Sequence, residues 1–194
     1  MLRSLVGSEM CIRDRSQTDD FTKKCKADPS GKAAPPDPAQ VGRHAAMKMV
    51  LPGARPVIAP DPSLNRWHSA AVGQALWLSV NDPTATKHES LSFMGQAVSL
   101  TARRNGLSFE MGDGHTVHCD ATTQWSESVE PGTPSPTCGY TYQQAAPEGG
   151  YQVTAITSWD VTWSVLGRTG TVHIEKAGGQ MLPVGELESV VTRR

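Results

Sequence analysis

The chain has 194 residues, of which 38% are hydrophobic and 19% charged, and its formal net charge is −1. A near-neutral balance supplies no basic field that would gather nucleic acid or an anionic membrane, so nucleic acid is not predicted as a partner. No stretch approaches the ~18 consecutive apolar residues of a membrane-spanning helix. The length predicts one modest core together with a good deal of irregular chain.

Residues 1–15 are set apart from the fold. Their segment EMCIRDR at 9–15 resembles an in-frame translation of the transposon-end adapter used to prepare sequencing libraries. We therefore expect residues 1–15 to be an artefact and the biological N-terminus, with any leader or membrane anchor, to be missing. A genuine disordered head is the alternative. We predict association with a membrane only through such a missing anchor.

Residues 16–74 are polar and rich in proline. The run PPDP at 35–38 disfavours helix and favours extended polyproline conformations. We predict a mostly disordered linker here, in which only 41–51 has the composition of a short helix. Cys25 lies in this linker among three lysines and is interpreted as a free or incidental thiol.

From residue 75 onward, short strands alternate with turns. Asn105-Gly106 predicts a hairpin turn, because both residues can adopt positive φ. Residues 181–191 are apolar enough for an edge strand, in which Pro183 marks a bulge or the start. Strands at this spacing, with no helical period between them, predict an antiparallel β-sandwich or barrel over 75–194.

The longest alternation runs over 151–165, where the odd positions are apolar or threonine and the even ones mostly polar. This period of two predicts a strand with one buried face, hidden between two layers of sheet, with Trp159 and Trp163 in the core and a sugar-stacking platform as the alternative. Fifteen residues would extend about 50 Å, so we expect a bend or bulge near 158–160. Residues 166–170 predict a turn, and 171–175 the returning strand of a hairpin.

Cys119 and Cys138 flank a polar loop. A disulfide between them would close a loop of about twenty residues, would be worth on the order of 3 kcal/mol and implies an oxidising compartment. A zinc site with His115 and His118 is the alternative. However, neither cysteine belongs to a Cys-x-x-Cys pair, and residues three apart on a strand face opposite sides. We predict the disulfide, with no metal and no other cofactor.

Gly112, Asp113 and Gly114 predict a tight turn. The glycines can adopt conformations closed to other residues, and the Asp113 carboxylate can accept hydrogen bonds from neighbouring backbone N–H groups. We interpret the turn as fold-holding. Calcium bound by Asp113 with Asp120 or Glu110 is the alternative, although one turn carboxylate falls far short of the six to eight oxygens that calcium needs.

Trp125 lies in the polar loop, where nothing around it requires burial, and is a candidate ligand contact. The chain contains no nucleophile elbow, phosphate-binding glycine loop or His-Glu-x-x-His motif. We therefore predict that the protein is not an enzyme. The alternative is a hydrolase with an unrecognised site, which would have to gather His115, His173 and a carboxylate.

Three motifs in order resemble a polycystic-kidney-disease (PKD) repeat: SFEMGDG at 108–114, CGYTY at 138–142 and GGYQVTA at 149–155. PKD repeats carry a W-D-F-G-D-G turn, an H-x-Y segment and a G-x-Y-x-V-x-L strand. Here Phe-Glu-Met precedes Gly-Asp-Gly, and the usual histidine is Gly139 or Thr141. Over about 77–191, the order of motifs is similar to a PKD-like domain of uncharacterised extracytoplasmic proteins of actinobacteria.

The resemblance implies an immunoglobulin-like β-sandwich and no known activity, because related repeats serve as spacers or interaction modules. We therefore expect a non-catalytic extracytoplasmic module, secreted or anchored at the cell surface, that acts in protein interaction or as a spacer at the cell envelope. Its partner would be an unknown protein or glycan at the cell surface. The alternative is a carbohydrate-binding accessory domain that uses Trp125.

Overall fold

A computed structural model describes residues 35–186; the expectations for residues 1–34, which include the adapter-like segment and Cys25, and for residues 187–191 lie outside this range. The described chain forms one α-helix, α1 (Pro38–Lys48), and a short 3₁₀ turn at Pro62–Leu64. Its ten strands are β1 (Pro56–Ala59), β2 (Ala70–Ala71), β3 (Leu76–Val80), β4 (Thr86–Phe93), β5 (Gln96–Glu110), β6 (Thr116–His118), β7 (Gly139–Tyr140), β8 (Tyr151–Val165), β9 (Arg168–Leu182) and β10 (Val184–Gly185).

The largest sheet is antiparallel, with the strand order β4-β5-β8-β9. Two short strands share one side of β5: β4 pairs with its first half, and β6 with its last three residues. A second antiparallel sheet has the order β1-β3-β7, and β2 pairs in parallel with β10. The described chain is therefore mostly strand in open sheets, as the all-β prediction requires.

The alternating ribbon is the uninterrupted strand β8, so the expectation of a bulge within it near 158–160 is wrong, and the extra residue lies on the facing strand β5. Arg104 of β5 is opposite Trp159 and Gly106 is opposite Ser158, so Asn105 is the extra residue of a bulge. The prediction of a hairpin turn at Asn105-Gly106 is wrong, because β5 pairs with β8 on both sides of this point.

A two-residue turn closes each of the two hairpins of the large sheet. Met94-Gly95 joins β4 to β5 and Leu166-Gly167 joins β8 to β9, and all four residues have positive φ. Such turns follow the right-handed twist of the paired strands. The predicted β8–β9 hairpin is confirmed, with a shorter turn and a longer returning strand than the sequence indicated.

One face of the large sheet carries two separate cores. Over the first half of β8, the three-stranded sheet covers apolar side chains that include Phe109 and Val153, which are both fully buried. Over the second half, α1 covers Trp159, Val161 and Trp163. The two tryptophans are core residues as predicted. However, only half of β8 lies between two sheets, because a helix covers the rest.

The helix corrects the predicted domain boundary. Asp37 caps α1 through its carboxylate, which accepts a hydrogen bond from the Ala39 N–H at 3.2 Å, and proline is favourable in the first turn. Val41, Ala45 and Ala46 then share one buried face. The compact unit therefore begins at Pro36 and not at residue 75, and the described residues 35–74 contain α1, β1 and β2 where a linker was predicted.

Within residues 35–186, no helix combines the length and the apolar character that crossing a bilayer requires.

Candidate ligand-binding clefts

Cys119 and Cys138 fasten the loop at 120–137 to both sheets of the first core. Their sulfur atoms lie at disulfide-bonding distance, and their Cα atoms are 5.6 Å apart. The Cys119 N–H donates to the Leu107 carbonyl of the large sheet, and the Cys138 carbonyl accepts from the Leu78 N–H of the three-stranded sheet, both at 2.9 Å. The pair therefore links the two layers at the base of the loop.

The loop itself is held by specific hydrogen bonds. The buried Trp77 indole N–H donates to the Thr133 carbonyl at 2.8 Å, and the Thr137 hydroxyl donates to that of Thr123 at 3.0 Å. A turn closes where the Val129 N–H donates to the Ser126 carbonyl at 3.0 Å. These bonds fix the backbone on both sides of Trp125.

Trp125 is half-buried and borders two adjoining clefts, of about 270 and 310 Å³. Both clefts are lined by Pro60, Gln74, Trp125 and Glu127. The first also includes Asp61, Pro62, Leu64 and Asn65, and the second Ala75, Trp77, Val129, Glu130, Pro131 and Gly132. The candidate ligand contact thus lies at the centre of a double cleft.

The lining combines an aromatic face with side chains that hydrogen-bond. Gln74 and Asn65 carry amides, and Asp61, Glu127 and Glu130 carry carboxylates, while the lining includes no lysine, arginine or histidine. Amides donate and accept, and carboxylates accept. Clefts with apolar walls and a few oriented polar groups are typical binding sites for small molecules. The arrangement suits a polar ligand that bears hydroxyl or amine donors and one apolar face.

The Asp113 turn is a second polar cluster. Gly112 and Gly114 both have positive φ, and a Cβ on Gly112 would lie 2.8 Å from the Gln152 carbonyl oxygen. Asp113 accepts hydrogen bonds from the His115 N–H at 3.1 Å and from the Tyr140 hydroxyl at 2.6 Å. Both carboxylate oxygens are therefore engaged by the fold, which leaves them poorly placed for the calcium alternative.

Electrostatics at this turn favour a charged carboxylate. Partial burial by itself raises the pKa of Asp113, but the hydrogen bonds from Tyr140 and from the His115 N–H outweigh it and hold the pKa below its ordinary value. Burial, together with the nearby Asp113 charge, raises the pKa of Tyr140 and of Tyr142. The buried Tyr142 hydroxyl donates to the Met111 carbonyl at 2.7 Å, so both phenols act as neutral donors.

The histidines considered for a hydrolase lie in different places. His115 contacts Asp113 at 3.3 Å and is 70% exposed. His173 contacts Asp160 on the solvent-facing side of β8 and β9. Asp160 pairs with Arg103 in the middle of β5, whereas Asp113 follows the end of that strand. The structure therefore does not bring the two histidines and one carboxylate together.

The zinc alternative is also not assembled. The two cysteine sulfurs are at bonding distance from each other, and His118 lies instead in a third cleft, of about 520 Å³, with Arg104, Asp120 and Glu175. Among residues 35–186, no group of three or more His, Cys, Asp or Glu side chains is arranged to hold a metal ion.

The residues that accompany Trp125 were not predicted from the sequence. They come from segments 60–65, 74–77 and 127–132, which carry no common motif and are far apart along the chain. Glu127 and Glu130 lie in a polar loop, where carboxylates are most simply solvated.

Comparisons of this chain with family models, with characterised proteins and with solved structures gave no match.

Proposed function

We propose that this protein is a non-catalytic extracytoplasmic module that binds glycans through Trp125 and the two clefts beside it. The observation that carries the proposal is the half-buried indole at the centre of a double cleft lined by amides and carboxylates. The disulfide-distance pair supports an oxidising compartment, because such bonds persist mainly outside the cytosol.

The composition of the clefts favours a sugar among polar ligands. A pyranose presents an apolar C–H face that can lie against an indole and a ring of hydroxyls that need donors and acceptors. Trp125 offers the first surface, and Gln74 and Glu127, which line both clefts, offer the second. Two adjoining clefts suit consecutive sugar units of one chain.

The same proposal includes a more specific fold type than all-β. The three PKD-like motifs fall on the end of β5 with its turn, on Cys138 and β7, and on the start of β8. All three meet in the first core, where two antiparallel sheets face each other. We infer an immunoglobulin-like, PKD-like sandwich with a helix added over the free half of its larger sheet.

A glycan array followed by calorimetry tests the function. We expect saturable binding of an oligosaccharide that Trp125→Ala weakens at least about tenfold, or ~1.4 kcal/mol, and that Trp125→Phe weakens less. Trp67→Ala is the matched control, because Trp67 is 56% exposed and lines neither cleft.

The same experiment distinguishes glycan binding from the alternative that the protein is an interaction or spacer module. A folded protein that binds no glycan on the array, or that binds one equally well after Trp125→Ala, overturns the proposed site. The protein would then be better described as an interaction or spacer module without a glycan ligand.

A further inference from the structure

Strand β9 is an unusually long edge strand of the part of the chain that the structure describes. It has fifteen residues, ends the strand order of the large sheet and pairs with β8 over its whole length without a register shift. Within residues 35–186, no backbone group outside β8 hydrogen-bonds to it. Strands in globular proteins usually have five or six residues, and long open edges are ready templates for another strand.

The hairpin register fixes which backbone groups point outward. The two-residue turn makes Val165 and Arg168 a hydrogen-bonded pair, so the even-numbered residues of β9 bond to β8. The odd-numbered residues therefore direct their N–H and C=O groups away from the sheet, and their side chains lie on its exposed face. These residues are Thr169, Thr171, His173, Glu175, Ala177, Gly179 and Met181.

Most devices that protect an edge are missing from β9. The strand contains no proline and no bulge. An inward-pointing charge is the one such device that the strand retains: Lys176 points to the inner side of the sheet and is partly covered there. Apart from Met181 near its end, the side chains along the outer face of the edge are small or polar, so a second strand can approach it closely.

We propose that β9 pairs antiparallel with β9 of a second copy of this chain, about a two-fold axis at Ile174. Full overlap of the two strands would centre the axis on Glu175 and place two like charges opposite each other, which is unfavourable. Moving the axis to Ile174 places His173 opposite Glu175 of the second copy, and the reverse pair follows by symmetry.

The remaining pairs in this register are compatible in size. Thr171 lies opposite Ala177 of the second copy, and Thr169 opposite Gly179. The six outward-facing pairs would form about twelve main-chain hydrogen bonds. His173 already contacts Asp160 of its own chain, and a protonated imidazole can donate to a carboxylate from each nitrogen. The edge is thus self-complementary, as an interface between identical subunits requires.

Cysteine cross-linking tests both the contact and its register. In a full-length chain with Cys11→Ser and Cys25→Ser, Ile174→Cys places two thiols across the axis in a non-hydrogen-bonded pair, where Cα atoms are about 4.5 Å apart. Val172→Cys is the control, because its two copies would lie about 13 Å apart along the strands. We expect a disulfide-linked dimer from the first variant only; efficient cross-linking of the second, or of neither, overturns the register.

Sedimentation over a concentration series tests the pairing of His173 with Glu175 without cysteines. Glu175→Lys should shift the equilibrium to monomer by at least tenfold in dissociation constant, while His173→Lys, which places a cation opposite Glu175, should remain dimeric. Both substitutions lie on the exposed face, and circular dichroism verifies folding. A wild-type protein that stays monomeric at every concentration, or a Glu175→Lys variant as dimeric as wild type, refutes the proposal.

Discussion

Asp113 illustrates how a single carboxylate stabilises a turn between two strands. Its side chain is 14% exposed and joins the start of the turn to Tyr140 of the three-stranded sheet. Replacement by alanine removes two hydrogen bonds to a charged acceptor, each of which contributes about 1.5–3 kcal/mol. We expect Asp113→Ala to lower the free energy of unfolding by about 2 kcal/mol or more in urea titrations; an unchanged midpoint would contradict the fold-holding role.

The pH dependence of this contribution follows from the direction of the pKa shift. Because the folded-state pKa of Asp113 lies below its unfolded value of about 3.9, the carboxylate stabilises the fold above that pH. The contribution disappears as the pH falls through the lower, folded-state pKa. Wild type should therefore exceed Asp113→Asn in stability at pH 7, and the difference should shrink in acid. A constant difference would show that the carboxylate charge is not involved.

At the scale of elements, the contact between α1 and the large sheet depends on two glycines that flank one indole. A Cβ on Gly42 of α1 would lie within 3 Å of three ring atoms of Trp163. A Cβ on Gly170 of β9 would crowd the same ring from the neighbouring strand. The indole thus occupies space that only residues without side chains leave open.

Gly42→Ala is therefore expected to destabilise the protein, against the usual preference of helices for alanine. Helix propensity alone would favour alanine by roughly 0.8–1 kcal/mol, whereas overpacking costs about 1–3 kcal/mol. Thermal unfolding should show a loss in the wild-type background and a gain when Trp163→Leu has made room. A gain in both backgrounds would mean that the helix does not pack closely on Trp163.

Local patterns predicted the strands better than the elements that cover them. Alternation identified β8 and the start of β9 because each has one covered face, and turn chemistry located the hairpin between them. The helix was missed as part of the fold because the prolines at 35–38 suggested a linker, and its main reason to form is the apolar half-sheet, whose strands follow much later in the chain. Asn105-Gly106 has the composition of a hairpin turn, but glycine inside a strand also marks a bulge, and neither residue has the positive φ that such a turn requires.

Of the residues in the candidate site, the sequence predicted only one. Trp125 stood out because a large aromatic side chain in a polar loop has no local reason to be there. Its neighbours Asp61, Gln74 and Glu127 meet it through the packing of three loops, which no spacing rule encodes.

On the scale of the whole molecule, the cysteine pair serves the first core alone. It joins the large sheet to the three-stranded sheet, while α1 and the second core contain neither cysteine. Reduction should lower the free energy of unfolding by about 3 kcal/mol. We expect mass spectrometry to find the two cysteines linked before reduction, and hydrogen exchange after reduction to increase first in β3 and β7. Two free thiols in protein purified under oxidising conditions would contradict the pairing.

The base of the Trp125 loop is clamped to both layers, while residues 120–137 add no strand to either sheet. Their sequence can therefore be rewritten with little effect on the scaffold, provided that Thr133 or a substitute still offers a carbonyl to Trp77. Loops exchanged between the two cysteines would carry new recognition surfaces on an unchanged frame, much as hypervariable loops do on other sandwiches.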